Sequence, residues 1–470
     1  MTRCALIALS FGLLLLACGR KDPAVARLGR ERITLEEFKT AYLEIIKQPN
    51  AFDSRELREQ FLDEMIDRRL LAREAHGLGM AADERLAYRV GANRDRNLRD
   101  AHFRKVIKPG ISYNEADLER TFAWMTEERH IRHLFSPTRV GIDSLYHLLQ
   151  EGADWFELAR GLFDDPRLAE TGGDLGWVAW EQMEYDLGFT AFSLPLMVYS
   201  EPVASSYGWH ILQVADWRRT PLLPEGQYQL QRNNARAVLE RKLGDKAALA
   251  YISGMMKEKK IQVYPRSLRA VGQKLGVVLK RQPSTADQLR TEQLSDAEMG
   301  EIEASLWEMR KEPLASIDGE ILTIGEFIAA LNYVPYHAVH RSMKTALDFV
   351  LRDRALSAEA RRMGLERDDQ VRIKTAQFEQ NRLQMAIRQR LLAEIRVEER
   401  DLQRYFNEHY GKKYPHLGLE ETRDLIARDA LIAKRAGTMQ EHLQKLRSQL
   451  RIERNPAPIH AWYEGVLNRR

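Results

Sequence analysis

The feature that most constrains the fold of this chain is a helical pattern written into it twice. Leu62-Asp63-Glu64-Met65-Ile66-Asp67-Arg68-Arg69-Leu70-Leu71-Ala72-Arg73-Glu74-Ala75 is matched by Leu347-Asp348-Phe349-Val350-Leu351-Arg352-Asp353-Arg354-Ala355-Leu356-Ser357-Ala358-Glu359-Ala360. Each continues into a glycine break, Gly77-Leu78-Gly79-Met80 in the first and Met363-Gly364-Leu365 in the second. Upstream, Ile33-Thr34-Leu35-Glu36-Glu37-Phe38 matches Leu322-Thr323-Ile324-Gly325-Glu326-Phe327. Downstream, Glu115-Ala116-Asp117-Leu118 matches Glu399-Arg400-Asp401-Leu402. The spacing is nearly constant between copies, as a duplication of one helical module requires.

The physics of the module is readable. Leu57, Phe61, Leu62, Met65, Ile66, Leu70 and Leu71 recur at helical spacing and make one apolar stripe. Gly77 and Gly79 suit the left-handed end of that helix. Asp83 suits the cap of the next, which runs to about Val106. Its counterpart starts near Asp368 and runs through Phe378, Leu383 and Ile387 to Ile395. Such polar helices are not stable alone, so they must pack on each other or on a neighbouring module.

The chain opens with a short positive start, Met1-Thr2-Arg3, and an apolar run from Ala5 to Ala17. The run is too short to span a bilayer and reads as the hydrophobic part of a signal peptide. Leu15-Leu16-Ala17-Cys18 looks like a bacterial lipobox. That resemblance implies cleavage before Cys18 and lipid on its sulfur. Gly19, in place of Asp, leans towards the outer membrane by resemblance to lipoprotein sorting. The chain has two cysteines, Cys4 and Cys18. Cys4 leaves with residues 1–17, so no disulfide is expected within the mature chain.

At 470 residues the chain should hold more than one domain. With 30% charged and 44% hydrophobic residues, it has the profile of a mostly helical soluble protein. A net charge of +4, with no Lys/Arg block interleaved with aromatics, gives no indication of nucleic-acid binding.

A distinct stretch lies after the first repeat. It reads His130-Ile131-Arg132-His133-Leu134-Phe135, Asp164-Asp165-Pro166, Gly172-Gly173-Asp174-Leu175-Gly176-Trp177, Gln182-Met183, Ser200-Glu201-Pro202-Val203 and Gly208-Trp209-His210-Ile211-Leu212. Taken in this order, the pieces resemble a parvulin-type (PpiC, or rotamase) peptidyl-prolyl isomerase domain. The whole arrangement, helical segments around such a domain, is similar to SurA-type periplasmic chaperones and PrsA-type foldases.

The resemblance implies an α+β fold. A parvulin-type domain, a four-stranded antiparallel sheet with surrounding helices, is inserted in a mostly α-helical SurA-like module, and a second helical module comes after it. The expected boundaries are 1–17 for the signal peptide, 23–128 for the first part of the first module and 129–219 for the isomerase-like domain. Residues 220–263 form a helix completing the first module, 264–298 a connecting segment, and 299–470 a second module without an insert.

An X-Pro bond crosses a barrier of roughly 18–20 kcal/mol. A catalyst needs no nucleophile; it must hold the prolyl ring in an apolar pocket and favour the twisted amide. Carried over from the parvulin pattern, His133, Asp165 and His210 are the candidate catalytic residues. Leu175, Met183 and Leu187 form the apolar wall, with Gln182 at the rim and Ser205 near the histidines.

Three departures stand out. Leu187 replaces a phenylalanine of the proline pocket, Phe163 replaces a small hydroxyl residue, and Leu196-Met197-Val198-Tyr199 lacks the usual Pro-Gly. Plainer roles are open for each residue. His133 and His210 could hold the sheet by hydrogen bonding, Asp165 could cap a helix or turn, and Met183 and Leu187 could be core. His130 and His133 fall on opposite faces of a predicted strand, and no third ligand accompanies them, so neither a metal nor another cofactor is expected.

The resemblance implies a lipid-anchored isomerase and foldase, facing the periplasm, that acts on unfolded or nascent exported proteins with X-Pro bonds. A holdase that uses the parvulin fold as a binding surface, and a scaffold for one envelope assembly, are the alternatives.

Overall fold

The computed structural model describes residues 22–48, 52–219, 228–279, 293–410 and 418–467. The apolar leader and Cys18 lie outside the described residues. Among those described, no helix is long and apolar enough to cross a membrane. The chain forms two compact units, one drawing on residues up to Asn97 and from Arg367 onward, the other the continuous stretch Leu98–Glu366.

In the first unit a hairpin of β1 (Ala24–Leu28) and β2 (Glu31–Thr34) turns at Gly29, whose φ of 59° favours glycine. The next element, helix α1 (Leu35–Ile46), starts in a capping box. Thr34 Oγ1 accepts from Glu37 N (3.2 Å) and the Glu37 carboxylate accepts from Thr34 N (2.8 Å), a device worth about 1 kcal/mol. Helix α2 (Arg55–Gly77) buries the stripe Phe61, Leu62, Met65, Ile66, Leu70 and Leu71.

Part of that stripe packs on Phe38 and Tyr42 of α1 and on Val25 and Leu28 of the hairpin. The remainder, with Ala72 and Ala75, meets Leu383 and Ile387 of the helix Asp369–Leu392 and Met439 of the helix Arg423–Ser448. The strand Ile452–Arg454 completes the sheet on β1, with Leu28 opposite Ile452. The helix α3 (Glu84–His102) comes after the bend that ends α2.

The second unit repeats this plan with the roles of the two copies reversed. It also holds the inserted domain. After α4 (Glu115–Met125), the downstream part of the first repeat, that domain comprises β3 (Glu127–Ser136), α5 (Arg139–Gln150), α6 (Trp155–Leu162), α7 (Pro166–Thr171), β4 (Asp174–Ala179), α8 (Tyr185–Ser193), β5 (Val203–Ala204) and β6 (Trp209–Arg219).

Its strands form one antiparallel sheet in the order β4-β3-β6-β5, the α+β arrangement expected. On one face Leu134 and Ile211 pack with Ile142, Leu149, Trp155 and Ala159 of α5 and α6. On the other, Ile131, Leu212 and Val214 pack with Trp124, Trp180 and Phe192, and with Ala235 and Val238 of α9 (Tyr228–Met256).

The chain then forms β7 (Ile261–Val263) and α10 (Pro265–Val278). The segment expected to connect the modules, 264–298, includes α10, whose Val271 and Leu275 are buried in this unit's core; residues 280–292, with Gln282 and Pro283, lie outside the described residues.

A second hairpin, β8 (Pro313–Ile317) and β9 (Glu320–Thr323), turns through Asp318 and Gly319, both at positive φ, as a two-residue hairpin loop demands. β7 extends it, with Ile261 opposite Ile317. Thr323 and Glu326 rebuild the capping box of Thr34 and Glu37.

The likeness continues in side chains. Arg69 reaches Glu37 at 3.2 Å, and Arg354 reaches Glu326 at 3.2 Å. Leu98 and Ala101 of α3 are fully buried, and Arg99 pairs with Asp353 of the helix Met343–Arg362 at 3.1 Å. Each unit therefore joins the hairpin and first long helix of one repeat to later elements of the other.

Candidate active site

β3 and β6 run side by side with His133 opposite Leu212 and Phe135 opposite His210. Strand alternation puts His133 and His210 on the face that also carries Leu212. Two glycines make the close approach possible. A Cβ on Gly173 would lie 2.0 Å from the His133 carbonyl, and one on Gly208 would lie 2.6 Å from the Ser136 carbonyl.

The two imidazoles stack at 5.4 Å and 20°, with His133 Nδ1 and His210 Nδ1 3.1 Å apart. His210 Nε2 lies 2.8 Å from Ser205 Oγ, and Ser205 Oγ accepts from Tyr207 N at 3.1 Å. Ser205, His210 and His133 thus form one hydrogen-bonded chain.

Burial pushes His133 down to about 4, with His210 adding to the effect, and burial also lowers His210 against the pull of Glu184. Both rings are therefore neutral at pH 7. One Nδ1 carries a proton and the other accepts it. A proton added to the accepting ring would set two N–H donors face to face.

Of the other expected residues, Asp165 caps α7 and its carboxylate accepts from Arg167 N at 2.9 Å; it is exposed. Leu175 is 45% exposed on β4. Gln182 Oε1 accepts from Ala179 N at 2.8 Å. Met183 and Leu187 are half-buried against the Trp180, Phe192 and Leu212 core.

Phe163 stacks on the His133 ring at 5.4 Å and 25°. Met197, in the turn without Pro-Gly, sits at φ 61°, a left-handed conformation costing a side chain about 1–2 kcal/mol. His130 bonds Asp174 at 2.9 Å and stacks on Trp177, apart from the histidine pair. Among the described residues no group of three His, Cys, Asp or Glu could hold a metal.

Residues 136–216 match the family model of the PPIC-type PPIASE domain, and residues 3–107 that of the SurA-like N-terminal domain. The chain carries a PpiC-type domain and a SurA-like N-terminal domain. Chaperone SurA of Pseudomonas aeruginosa is 29% identical over 146 residues, which are 29% of this chain and 34% of that protein. Foldase protein PrsA of Bacillus subtilis is 29% identical over 168 residues, 35% of this chain and 55% of that protein. The chain thus spans about a third of that SurA and about half of that PrsA.

Among solved structures, a PpiC-type isomerase domain is 26% identical, covering 21% of this chain and 99% of that one with a TM-score of 0.20. PrsA from Bacillus anthracis is 20% identical, covering 41% and 96% with a TM-score of 0.21.

Sequence reasoning missed one residue beside the PpiC-type domain. Lys242 of α9 is only 4% exposed. Its Nζ donates to the Met183 carbonyl and lies 4.5 Å from the Trp180 ring centroid. Burial lowers its pKa to about 8. No local signal marks Lys242, because it sits on a helix assigned to another module, 59 positions from its partner.

Proposed function

We propose that this protein is a membrane-anchored peptidyl-prolyl isomerase and foldase for exported proteins, with His133, His210 and Ser205 at its active site. The observation that carries this reading is the neutral hydrogen-bonded chain of Ser205, His210 and His133, on the sheet face whose core holds Met183 and Leu187. An apolar wall beside preorganised neutral hydrogen-bonding groups suits a twisted prolyl amide, which needs burial of its ring and no attacking group.

On the parvulin pattern, Asp165 is proposed as a further catalytic residue, and Leu175 and Gln182 to flank the substrate. SurA and PrsA, as named relatives, support unfolded polypeptides as clients. The first test is isomerisation of a short X-Pro peptide by the soluble form starting after Cys18; no rate above background across several X residues overturns the catalytic reading.

Lipid anchoring is proposed at Cys18 from the lipobox-like Leu15-Leu16-Ala17-Cys18. Labelled palmitate should enter the protein in a bacterial host, and Cys18→Ala should abolish the label and release the protein from the membrane fraction. Unchanged membrane retention in the variant would remove the anchor from the proposal.

The holdase alternative has one observation in its favour: Phe163 lies on His133 where the parvulin pattern has a small hydroxyl residue. If Phe163 restrains the site, Phe163→Ser should raise kcat/KM for a short X-Pro peptide about threefold, the scale of roughly 0.6–0.7 kcal/mol. An unchanged or lower rate in a folded variant means that the ring supports the site.

A further inference from the structure

We propose that α9 is the second wall of the substrate groove and that Asp245 selects X-Pro segments carrying a basic residue beside the proline. This inference rests on the isomerase reading for the position of the X-Pro bond.

The groove is continuous with the proposed site. A cleft of about 630 Å³ begins at Gln182, Met183 and Ser205 and extends along α9 past Asp245, Leu249 and Ile252. Ser205 belongs to both, since its hydroxyl meets His210 Nε2 at 2.8 Å. A segment lying with its prolyl ring against Met183 can continue into this cleft on the Ser205 side.

The second wall is firmly attached. Lys242 reaches from α9 to the Met183 carbonyl and lies over Trp180, which is itself fully buried. Gly244, two residues along, lets the other side of α9 pack closely, since a Cβ there would lie 2.9 Å from Phe103. The helix that presents Asp245 and Leu249 is thus held at both flanks.

Charge decides what the groove prefers. Lys246 is ion-paired with Asp186 at 2.6 Å, while Lys242 donates to the Met183 carbonyl and Glu184 accepts from the Ser206 amide and hydroxyl, their opposite charges facing the same cleft. Asp245 makes no hydrogen bond or ion pair among the described residues; its charged neighbours are Arg241 and Lys242 on its own helix, and Glu184. Asp245 is exposed in the cleft, so its carboxylate is open to a cation arriving there. Leu249, 40% exposed, offers apolar surface to the methylenes of a Lys or Arg side chain.

The test uses the whole chain and two eight-residue X-Pro peptides that differ only in Lys or Glu directly after the proline. Both isomerisation, measured by exchange NMR, and binding, measured by fluorescence anisotropy of labelled peptides, are recorded at low salt. The wild type should favour the Lys peptide about fivefold, the upper range for one exposed ion pair. Asp245→Asn should bring the ratio close to one, and Asp245→Lys should invert it, a reversal that a merely structural role would not produce.

Equal handling of both peptides by the wild type, or a Lys preference surviving in Asp245→Lys, overturns the proposal. If the chain binds with the expected preference but isomerises neither peptide, the groove stands and the isomerase reading falls. Near-UV circular dichroism confirms that each variant is folded.

Discussion

Replacing His210 with alanine should lower kcat/KM for a short X-Pro peptide at least tenfold, about 1.4 kcal/mol of barrier. His210 is the middle member of the chain, bonded to Ser205 on one side and His133 on the other. Its loss leaves both partners without their shared link, and the proposed groups facing the amide lose their fixed orientation. The comparison with Met183→Ala separates two causes. Losing the pocket wall should raise KM, whereas losing His210 should fall mainly on kcat. A folded His210→Ala protein with wild-type rates would move the histidine pair from catalysis to structure.

The second large effect is on stability in acid. An unfolded histidine binds its proton near 6.5, whereas burial holds His133 down to about 4. Between these values the unfolded state binds more protons than the folded one, so stability rises with pH. The contribution of His133 is fully present above pH 6.5 and is lost progressively as pH falls through about 4. The loss is about 2.5 kcal/mol between pH 7 and pH 4.5.

Carboxylates titrate in the same window, so the informative quantity is a difference. Urea midpoints read by tryptophan fluorescence should drop further in the wild type than in His133→Asn on going from pH 7 to pH 4.5. Parallel drops would mean that His133 is not the group responsible.

Local chemistry was legible where it depends on neighbours in the chain. Asp83, read as the cap of α3, accepts from Arg85 N at 2.8 Å. Alternation along His130-Ile131-Arg132-His133 separates His130 from His133, and the separation holds. The apolar stripe of α2 was equally plain, but a helical period says that one face is buried and not by what. Leu383 and Met439 cover it from hundreds of residues away.

The site shows the same limit. The parvulin pattern brings His133, His210 and Ser205 to one place, because strand register does so. It carries no information on Lys242, which enters from a helix outside the matched region. Asp165 shows the capping reading, since its carboxylate before Pro166 accepts from Arg167 N at the start of α7.

The discontinuous unit has a consequence for the order in which the chain becomes a protein. Synthesis runs from the N-terminus, so the stripe of α2 is made long before the helices Asp369–Leu392 and Arg423–Ser448 that cover it. At about 5–20 residues per second, the intervening stretch Leu98–Glu366 takes roughly 13 to 54 seconds to appear. By the end of that interval the unit holding the PpiC-type domain has all of its own residues, while Leu71, Ala72 and Ala75 still have no permanent cover. This molecule is therefore, in its own youth, the kind of unfinished chain that a foldase exists to attend.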